Sequence, residues 1–409
     1  MKLRREVFLL CACIGILFLD CFQQYLPKQD IGYDNDGMLI LNGKRTFILG
    51  TYHLPKIEKP LEQLAHAGFN FVRAEADSEK LDRIHQAGLN AWISLNDIEF
   101  NDWQDSKKKI KERVAPVKDH PALVFWESAE KPAWTWQKAE PRIEPQPLIN
   151  CYHYIKSVDP KHLIFMNHAP TNLRPTIEQY NPATDAVGCS VFPIISPNTP
   201  LFYGLFDDGL PTDYINPYIS QMGSYTEKMR KIARGEAPVF MVQQAFAWEN
   251  LRPEGPVDSL VRYPTHYELR FMAYDAIINQ ANGIIYWGLD TVPANSPFWE
   301  DLKKVVFELA TIRDVLAAPV RNIRIVNFYV ESGHSVDLGV EILVKKSYDS
   351  YYLIAANGDK NPVKVRISGF GRDKKAEVLF EHRTIHIENR EITDTFEPFG
   401  VHVYKLINE

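Results

Sequence analysis

Between residues 45 and 317, short apolar runs alternate with longer amphipathic stretches. The short runs are typical of buried β-strands, and the stretches with apolar residues three and four apart are typical of helices. The apolar runs predict eight strands: Thr46–His53, Phe69–Asp77, Leu89–Asn96, Ala122–Ala129, His162–Asn167, Ala186–Phe192, Pro238–Ala245 and Gly283–Trp287. The clearest helices predicted between them are Pro60–Ala67, Ser78–Ala87, Asp105–Lys118, Pro217–Ala233, Thr265–Ala281 and Pro297–Leu316.

This alternation predicts an α/β fold with a parallel sheet covered by helices. Eight units over roughly 270 residues favour a closed (β/α)₈ TIM barrel over an open doubly wound sheet. No GxGxxG or Walker-type glycine loop follows the first strand, which counts against nucleotide binding. A short strand at Met38–Asn42 and a turn at Gly43-Lys44 precede the barrel.

The pattern changes after Val320, where apolar and polar residues alternate and turn residues separate the runs. This period of two, without a helical pattern, predicts a C-terminal antiparallel β-sandwich domain. The predicted strands are Arg324–Tyr329, Val340–Lys345, Tyr351–Ala355, Val363–Ile367, Ala376–Phe380 and Gly400–Leu406. We therefore divide the chain into an N-terminal segment (1–30), a barrel (31–317) and a sandwich (318–409).

The N-terminus has the composition of an export signal. Lys2, Arg4 and Arg5 precede the uncharged segment Val7–Leu19, which is short for a bilayer span and matches the hydrophobic region of a signal peptide. Cleavage of the segment, acylation at Cys21 and an uncleaved anchor all remain open. We expect an exported protein that is periplasmic, extracellular or membrane-anchored, with membrane contact through this segment alone.

Composition narrows the function further. The net charge of −6 gives no electrostatic reason to expect nucleic acid as a partner. Outside the N-terminal segment the cysteines are Cys151 and Cys189, too few for a disulfide framework, and we expect both to be buried. No CxxC or Cys/His cluster has zinc spacing, so we expect neither a metal nor a cofactor.

Chemistry in such barrels occurs at the carboxyl ends of the strands. Polar and aromatic residues accumulate there, as expected for a binding mouth. They are Tyr52, His53, Arg73, Glu75, Asp77, Asn96, Asp97, Trp126, Glu127, Glu130, Lys131, Asn167, His168, Ser190, Phe192, Gln243, Gln244, Tyr286, Trp287 and Asp290.

Several of these segments resemble clan A glycoside hydrolases, the β-galactosidase and cellulase-like barrels. The resemblance covers, in patches, most of residues 38–409 and is most specific around the fourth, seventh and eighth strands. It is carried by Leu41-Asn42-Gly43-Lys44 before Phe47–Tyr52, His120-Pro121-Ala122-Leu123 before Trp126, Pro238–Phe246, Gly283–Trp287 and Phe396–Tyr404. It implies a carbohydrate substrate or ligand.

The chain departs from that family at both catalytic positions. Retaining members use two carboxylates about 5–5.5 Å apart, and the acid/base is expected directly before the proline after strand 4. Lys131 stands there, so we assign the acid/base role to Glu130, one residue earlier. The strand 7 nucleophile position holds Gln243 or Gln244, and an amide cannot form a glycosyl ester. Glu249 or Asp290 could supply the second carboxylate of an inverting site, or a substrate group could act with Glu130.

For substrate binding we select His53, Arg73, Trp126, Asn167, His168 and Trp287. Each has a structural alternative. Arg73 is better explained by a structural ion-pair cluster with Glu75 and Asp77. Trp126 and Trp287 lie at strand ends, where a sugar ring could stack on them. Trp92 is expected in the core, and Glu268 is expected to form a helix capping box with Thr265.

Two functions follow from these residues. The first is hydrolysis of the O-glycosidic bonds of an extracytoplasmic oligosaccharide or polysaccharide. The second is a non-catalytic carbohydrate-binding or envelope protein that retains the barrel without turnover. Fold analogy does not decide between them.

Overall fold

A computed structural model describes residues 30–95, 98, 102–135, 140–197, 217–330, 339–371 and 373–407. Residues 1–29 of the predicted N-terminal segment lie outside these ranges, as do the strand-end residues Asn96 and Asp97. Within these ranges, no helix combines the length and apolar character that crossing a bilayer requires.

The predicted barrel is confirmed. A small antiparallel sheet of β1 (Ile31–Tyr33), β2 (Leu39–Leu41) and β3 (Lys44–Thr46) precedes it. The predicted strand Met38–Asn42 corresponds to β2, and the turn after it lies at Asn42-Gly43, while β1 and β3 were not predicted. The barrel strands are β4 (Ile48–Thr51), β5 (Phe71–Ala74), β6 (Asn90–Ser94), β7 (Leu123–Glu130), β8 (Leu163–His168), β9 (Ala186–Val191), β10 (Phe240–Gln244) and β11 (Gly283–Trp287). They are parallel and adjacent in chain order, and β11 pairs with β4 to close the barrel.

Helices connect and surround these strands. They are α1 (Pro60–Ala67), α2 (Ser78–Gln86), α3 (Trp103–Val114), α4 (Pro145–Val158), α5 (Arg174–Glu178), α6 (Gln221–Ile232), α7 (His266–Ile278), α8 (Pro297–Thr311) and α9 (Arg313–Ala317). The single helix predicted over Pro297–Leu316 is divided at Ile312. The capping box of Thr265 and Glu268 at the start of α7 is confirmed, so Glu268 serves the helix end.

Large aromatic side chains fill the inside of the barrel. Trp92 is fully buried and stacks on Phe125 with ring centroids 5.5 Å apart, which confirms its core position. Gly188 lies where β9 approaches β10, and a Cβ atom there would be 1.8 Å from the Phe240 carbonyl oxygen. Cys151 and Cys189 are buried, as expected.

The C-terminal part consists of two antiparallel sheets, in agreement with the predicted sandwich. One has the order β12 (Val326–Tyr329), β15 (Val363–Ser368), β18 (Glu391–Phe396). The other has the order β13 (Val340–Ser347), β14 (Ser350–Asn357), β19 (Val401–Ile407), β16 (Lys375–Leu379), β17 (Arg383–His386). The sequence pattern did not reveal β17 and β18, because both mix charged residues with few apolar ones.

The sandwich packs directly on the barrel helices. Ile354 and Val403 belong to the same buried apolar cluster as Phe271 of α7 and Leu302 of α8. The Arg270 side chain joins the two parts, because it pairs with Glu308 and also donates to the Val401 carbonyl.

Candidate active site at the barrel mouth

A local irregularity of β7 determines which side chains reach the mouth. Residues three apart on a regular strand face opposite sides. The pairing of β7 with β8 shifts between Glu127 and Ala129, so that Glu127 and Glu130 both reach the inner face. In agreement, the Glu127 carboxylate contacts Tyr52 on β4's side of the barrel, and the Glu130 charge acts on Tyr52 and His53.

Glu127 is a fully buried carboxyl group beneath the mouth. The Tyr52 hydroxyl donates to its Oε1 at 2.5 Å. Burial raises the pKa of Glu127 from 4.5 to about 7, and the hydrogen bond from Tyr52 only partly opposes this shift. The sequence places Glu127 near Glu130 but assigns it no role. The irregularity at residue 128, which lets both side chains face inward, has no recognisable sequence signature.

A chain of hydrogen bonds continues from Tyr52 across the mouth. Asn167 Nδ2 donates to the Tyr52 hydroxyl oxygen at 3.3 Å and to Ser190 Oγ at 3.0 Å. Burial and the charge of Glu127 raise the pKa of Tyr52, which therefore stays protonated and donates. Asn167 thus lies inside the mouth, where the sequence predicts it, but its amide nitrogen is engaged by the protein.

Glu130 and Lys131 lie at the end of β7. Lys131 Nζ is 3.1 Å from Glu130 Oε1, and the Glu130 side chain is 23% exposed. The Lys131 backbone has a φ of 52°, which is uncommon for a residue other than glycine. Its ammonium group also lies over the rings of Trp134 and Phe192, at 5.6 and 5.7 Å from their centroids. These contacts hold the cation at the mouth.

His53, Trp287 and Asp290 form a second group at the ends of β4 and β11. His53 Nδ1 accepts from the Gly288 amide at 3.1 Å and is 3.2 Å from Asp290 Oδ1. The Trp287 ring packs edge-on against His53, with centroids 5.0 Å apart. Burial lowers the pKa of His53, while the charges of Asp290 and Glu130 oppose that shift.

Arg73 projects from β5 into a cleft of about 1170 Å³ that Tyr52, His53 and Asp290 also line. Its guanidinium lies 5.7 Å from the centroid of the Tyr52 ring. The predicted ion-pair cluster around Arg73 is wrong, because Glu75 pairs with Lys80 and Asp77 caps α2 by accepting from the Lys80 amide.

Gln244 and Glu249 are engaged in structural contacts. Gln244 is fully buried, and its Oε1 accepts from the Ile194 amide at 2.9 Å while its Nε2 donates to the Ile194 carbonyl at 2.8 Å. The Glu249 carboxylate accepts from Arg252 at 3.1 Å and from the Val257 amide at 3.0 Å. The Val257 bond and the Arg252 contact lower the pKa of Glu249. These bonds do not fit the catalytic roles that the sequence suggests for the two residues.

Trp126 and His168 face away from the mouth. Trp126 is fully buried and donates from Nε1 to Asp159, directly after α4, at 2.8 Å. His168 is buried beside the Tyr180 ring, and burial lowers its pKa to about 3, so the imidazole is neutral. Their neighbours Glu127 and Asn167 point inward instead. The predicted contacts of Trp126 and His168 with a sugar do not fit this burial.

An aromatic wall, which we define as Phe192, Phe246, Trp248 and Trp287, lines the rim above β9–β11. Neighbouring ring centroids in it are 5.0 to 6.1 Å apart. Trp248 is 41% exposed. Sequence reasoning selected Trp287 and missed Trp248, which follows β10 in a loop. Among the side chains of the described ranges, no group of three or more His, Cys, Asp or Glu could hold a metal ion.

Comparison with known proteins supports the fold assignment. No family model matches the chain, and no curated protein matches it. A solved structure described as "Glycoside hydrolase" has a TM-score of 0.59 at 16% identity and covers 93% of this chain and 97% of its own. The glycoside hydrolase family 30 subfamily 8 xylanase from Clostridium acetobutylicum has a TM-score of 0.51 at 10% identity, covering 88% and 96%.

A variant of the family 5 mannosidase from Rhizomucor miehei has a TM-score of 0.51 at 14% identity, covering 70% of this chain and 99% of its own. At these identities the likeness shows the fold. The chain therefore has the same barrel fold as these glycoside hydrolases.

Proposed function

We propose that this protein hydrolyses O-glycosidic bonds of an oligosaccharide or polysaccharide, with Glu130 as general acid and Asp290 as general base. The observation that carries the proposal is the position of His53, whose ring lies 3.2 Å from Asp290 and within the electrostatic reach of Glu130. The carboxylates of Glu130 and Asp290, from opposite halves of the chain, thus both lie near the His53 side chain at the mouth.

We assign an inverting mechanism to this pair. In inverting hydrolases an acid protonates the leaving oxygen while a base activates water on the other face of the sugar, and the two groups lie about 6.5–9.5 Å apart. Glu130 is partly exposed and is able to reach a leaving group. Asp290 is 44% exposed and lines the cleft, where water has access. An amide at Gln244 disfavours the double displacement of retaining enzymes.

The aromatic wall supports a carbohydrate substrate. Apolar faces of sugar rings pack on aromatic side chains, and binding mouths combine such rings with a few polar groups. Trp287 is half-buried beside His53, and Trp248 exposes part of its ring. A sugar lying on this wall would extend toward Glu130, because the Phe192 ring also contacts Lys131.

The experiment is a screen of aryl glycosides and oligosaccharides with wild type, Glu130→Gln and Asp290→Asn. We expect each substitution to reduce turnover by about 10²–10⁴-fold, the usual contribution of a positioned acid or base. Glu75→Gln is the matched control, since Glu75 lines the same cleft but is exposed and pairs with Lys80. Turnover by Glu130→Gln at the wild-type rate would remove the proposed acid.

A non-catalytic carbohydrate-binding protein is the second candidate. It is favoured by the ion pair of Lys131 with Glu130 and by the amide at Gln244 on β10, where the related hydrolases carry their nucleophile. It predicts that oligosaccharides bind without product formation and that Glu130→Gln binds them as well as wild type does.

We also propose that the protein acts outside the cytoplasm. The proposal rests on the basic cluster and apolar run before residue 20. Fractionation of cells that express the chain with and without residues 1–30 is the test. Recovery of the full chain in the cytoplasmic fraction would contradict it.

A further inference from the structure

Arg73 has an unused binding capacity. Within the described ranges its guanidinium has neither a hydrogen bond nor an ion pair. Its Cζ lies over the face of the Tyr52 ring, 5.7 Å from the ring centroid. The side chain is half-buried in the cleft. A guanidinium has five N–H donors arranged to bind a planar oxyanion through two parallel hydrogen bonds. Arginines in clefts therefore normally have such a partner.

Among the described residues, no carboxylate of the mouth lies within ion-pair distance of the Arg73 guanidinium. Glu75 pairs with Lys80, Glu130 pairs with Lys131, and Asp77 accepts from the Lys80 amide. Glu127 accepts from the Tyr52 hydroxyl, and Asp290 lies beside the His53 ring. Burial raises the pKa of Glu127 to about 7 although the charge of Arg73 lowers it, so this carboxyl group is about half protonated at pH 7. Glu127 therefore offsets only part of the positive charge of Arg73.

We infer that the mouth takes an acidic glycan, whose carboxylate or sulfate group binds the Arg73 guanidinium. The inference rests on the proposed function, since it names the substrate class of the same site. The Tyr52 ring lies on one side of the guanidinium, 5.7 Å from ring centroid to Cζ, and both residues line the cleft. A sugar on the aromatic wall with its reactive bond at Glu130 and Asp290 would project an acidic neighbour toward β5.

The test is calorimetric binding, measured in the Glu130→Gln background so that the ligand survives whether or not wild type is a hydrolase. The probes are oligomers of galacturonate, glucuronate and mannuronate, their carboxyl-reduced neutral forms, and sulfated forms of the neutral oligomers. We expect at least one acidic oligomer to bind about 10- to 100-fold tighter than its neutral form, as a charge-assisted contact provides. A stronger preference for the sulfated form would identify sulfate as the bound group.

Variants then identify the residue. Arg73→Gln is expected to abolish the preference for acidic over neutral oligomers, and Arg73→Lys to restore part of it by returning the charge. Arg83→Gln is the matched control, because Arg83 lines the same cleft from α2 but is exposed. Circular dichroism and thermal midpoints check that each variant is folded.

Three outcomes would overturn the inference: equal binding of acidic and neutral oligomers, a preference that survives Arg73→Gln, or binding of none of the probes. Failure of the hydrolase proposal has a different signature, namely acidic oligomers that bind wild type through Arg73 but are not cleaved.

Discussion

The contacts of each side chain at the mouth depend on the face of the strand from which it projects. Trp126 and Glu127 are adjacent, yet the first is bonded to Asp159 outside the barrel and the second to Tyr52 inside it. The same holds for Asn167, which is inside, and His168, which is outside. Sequence reasoning identified the strand ends but not the faces, because one irregular residue reverses every assignment after it.

Glu127 leads to a prediction on stability and pH. Burial raises its pKa from 4.5 in the unfolded chain to about 7 in the folded protein, so the folded state binds more protons between these values. The contribution of Glu127 to stability should therefore fall as the pH rises from about 4.5 to 7, by roughly 3 kcal/mol. In Glu127→Gln the amide oxygen can still accept from the Tyr52 hydroxyl, but the side chain does not ionise. The stability of this variant should therefore be less sensitive to pH.

The measurement is urea unfolding of both proteins from pH 4 to pH 8. Comparing the two slopes removes any constant effect of the substitution and the titration of all other groups. Parallel profiles for wild type and Glu127→Gln would mean that the carboxyl ionises with an ordinary pKa.

At the scale of elements, the hydrophobic pattern predicts the barrel well. Each of the eight predicted strand regions overlaps a barrel strand, and Gly283–Trp287 and Pro60–Ala67 have the predicted bounds. The pattern fails where polar residues dominate, as in β17 (Arg383–His386), and where a helix is interrupted without Pro or Gly, as at Ile312. Shifts within a strand, such as that at residue 128, depend on the packing of neighbours and not on local periodicity.

Close packing of β9 and β10 gives an element-scale prediction. Gly188→Ala should destabilise the fold by about 3 kcal/mol or more, because the added Cβ would meet the Phe240 carbonyl oxygen at 1.8 Å and backbone must move. Gly32→Ala is the control, since Gly32 also lies in a strand but no atom is within 4 Å of its added Cβ. Equal thermal midpoints for the two variants would show that the barrel has room at residue 188.

At the scale of the whole molecule, the barrel and the sandwich share a core. Ile354 and Val403 belong to the same buried apolar cluster as Phe271, and Arg270 links Glu308 to the Val401 carbonyl. An interface of this apolar character couples the stabilities of the parts it joins. The change in hydrophobic periodicity after Val320 predicts two domains, but it carries no signal for how tightly they pack together.

This coupling predicts one cooperative unfolding transition for residues 31–409. Arg270→Met should lower the free energy of unfolding by about 3 kcal/mol, because it leaves the largely buried Glu308 without its cation. The transition should remain single in that variant. Calorimetry and tryptophan fluorescence check this, and two well-separated transitions in the wild type would contradict a shared core.

The most direct test of the account is the anomeric configuration of the first product, followed by proton NMR immediately after substrate is added. A general acid at Glu130 and a general base at Asp290 predict that the released sugar has the opposite configuration to the bond cleaved. A product that first appears with the original configuration would require a covalent intermediate or a substrate nucleophile, and would contradict the assignment of Asp290 as the base.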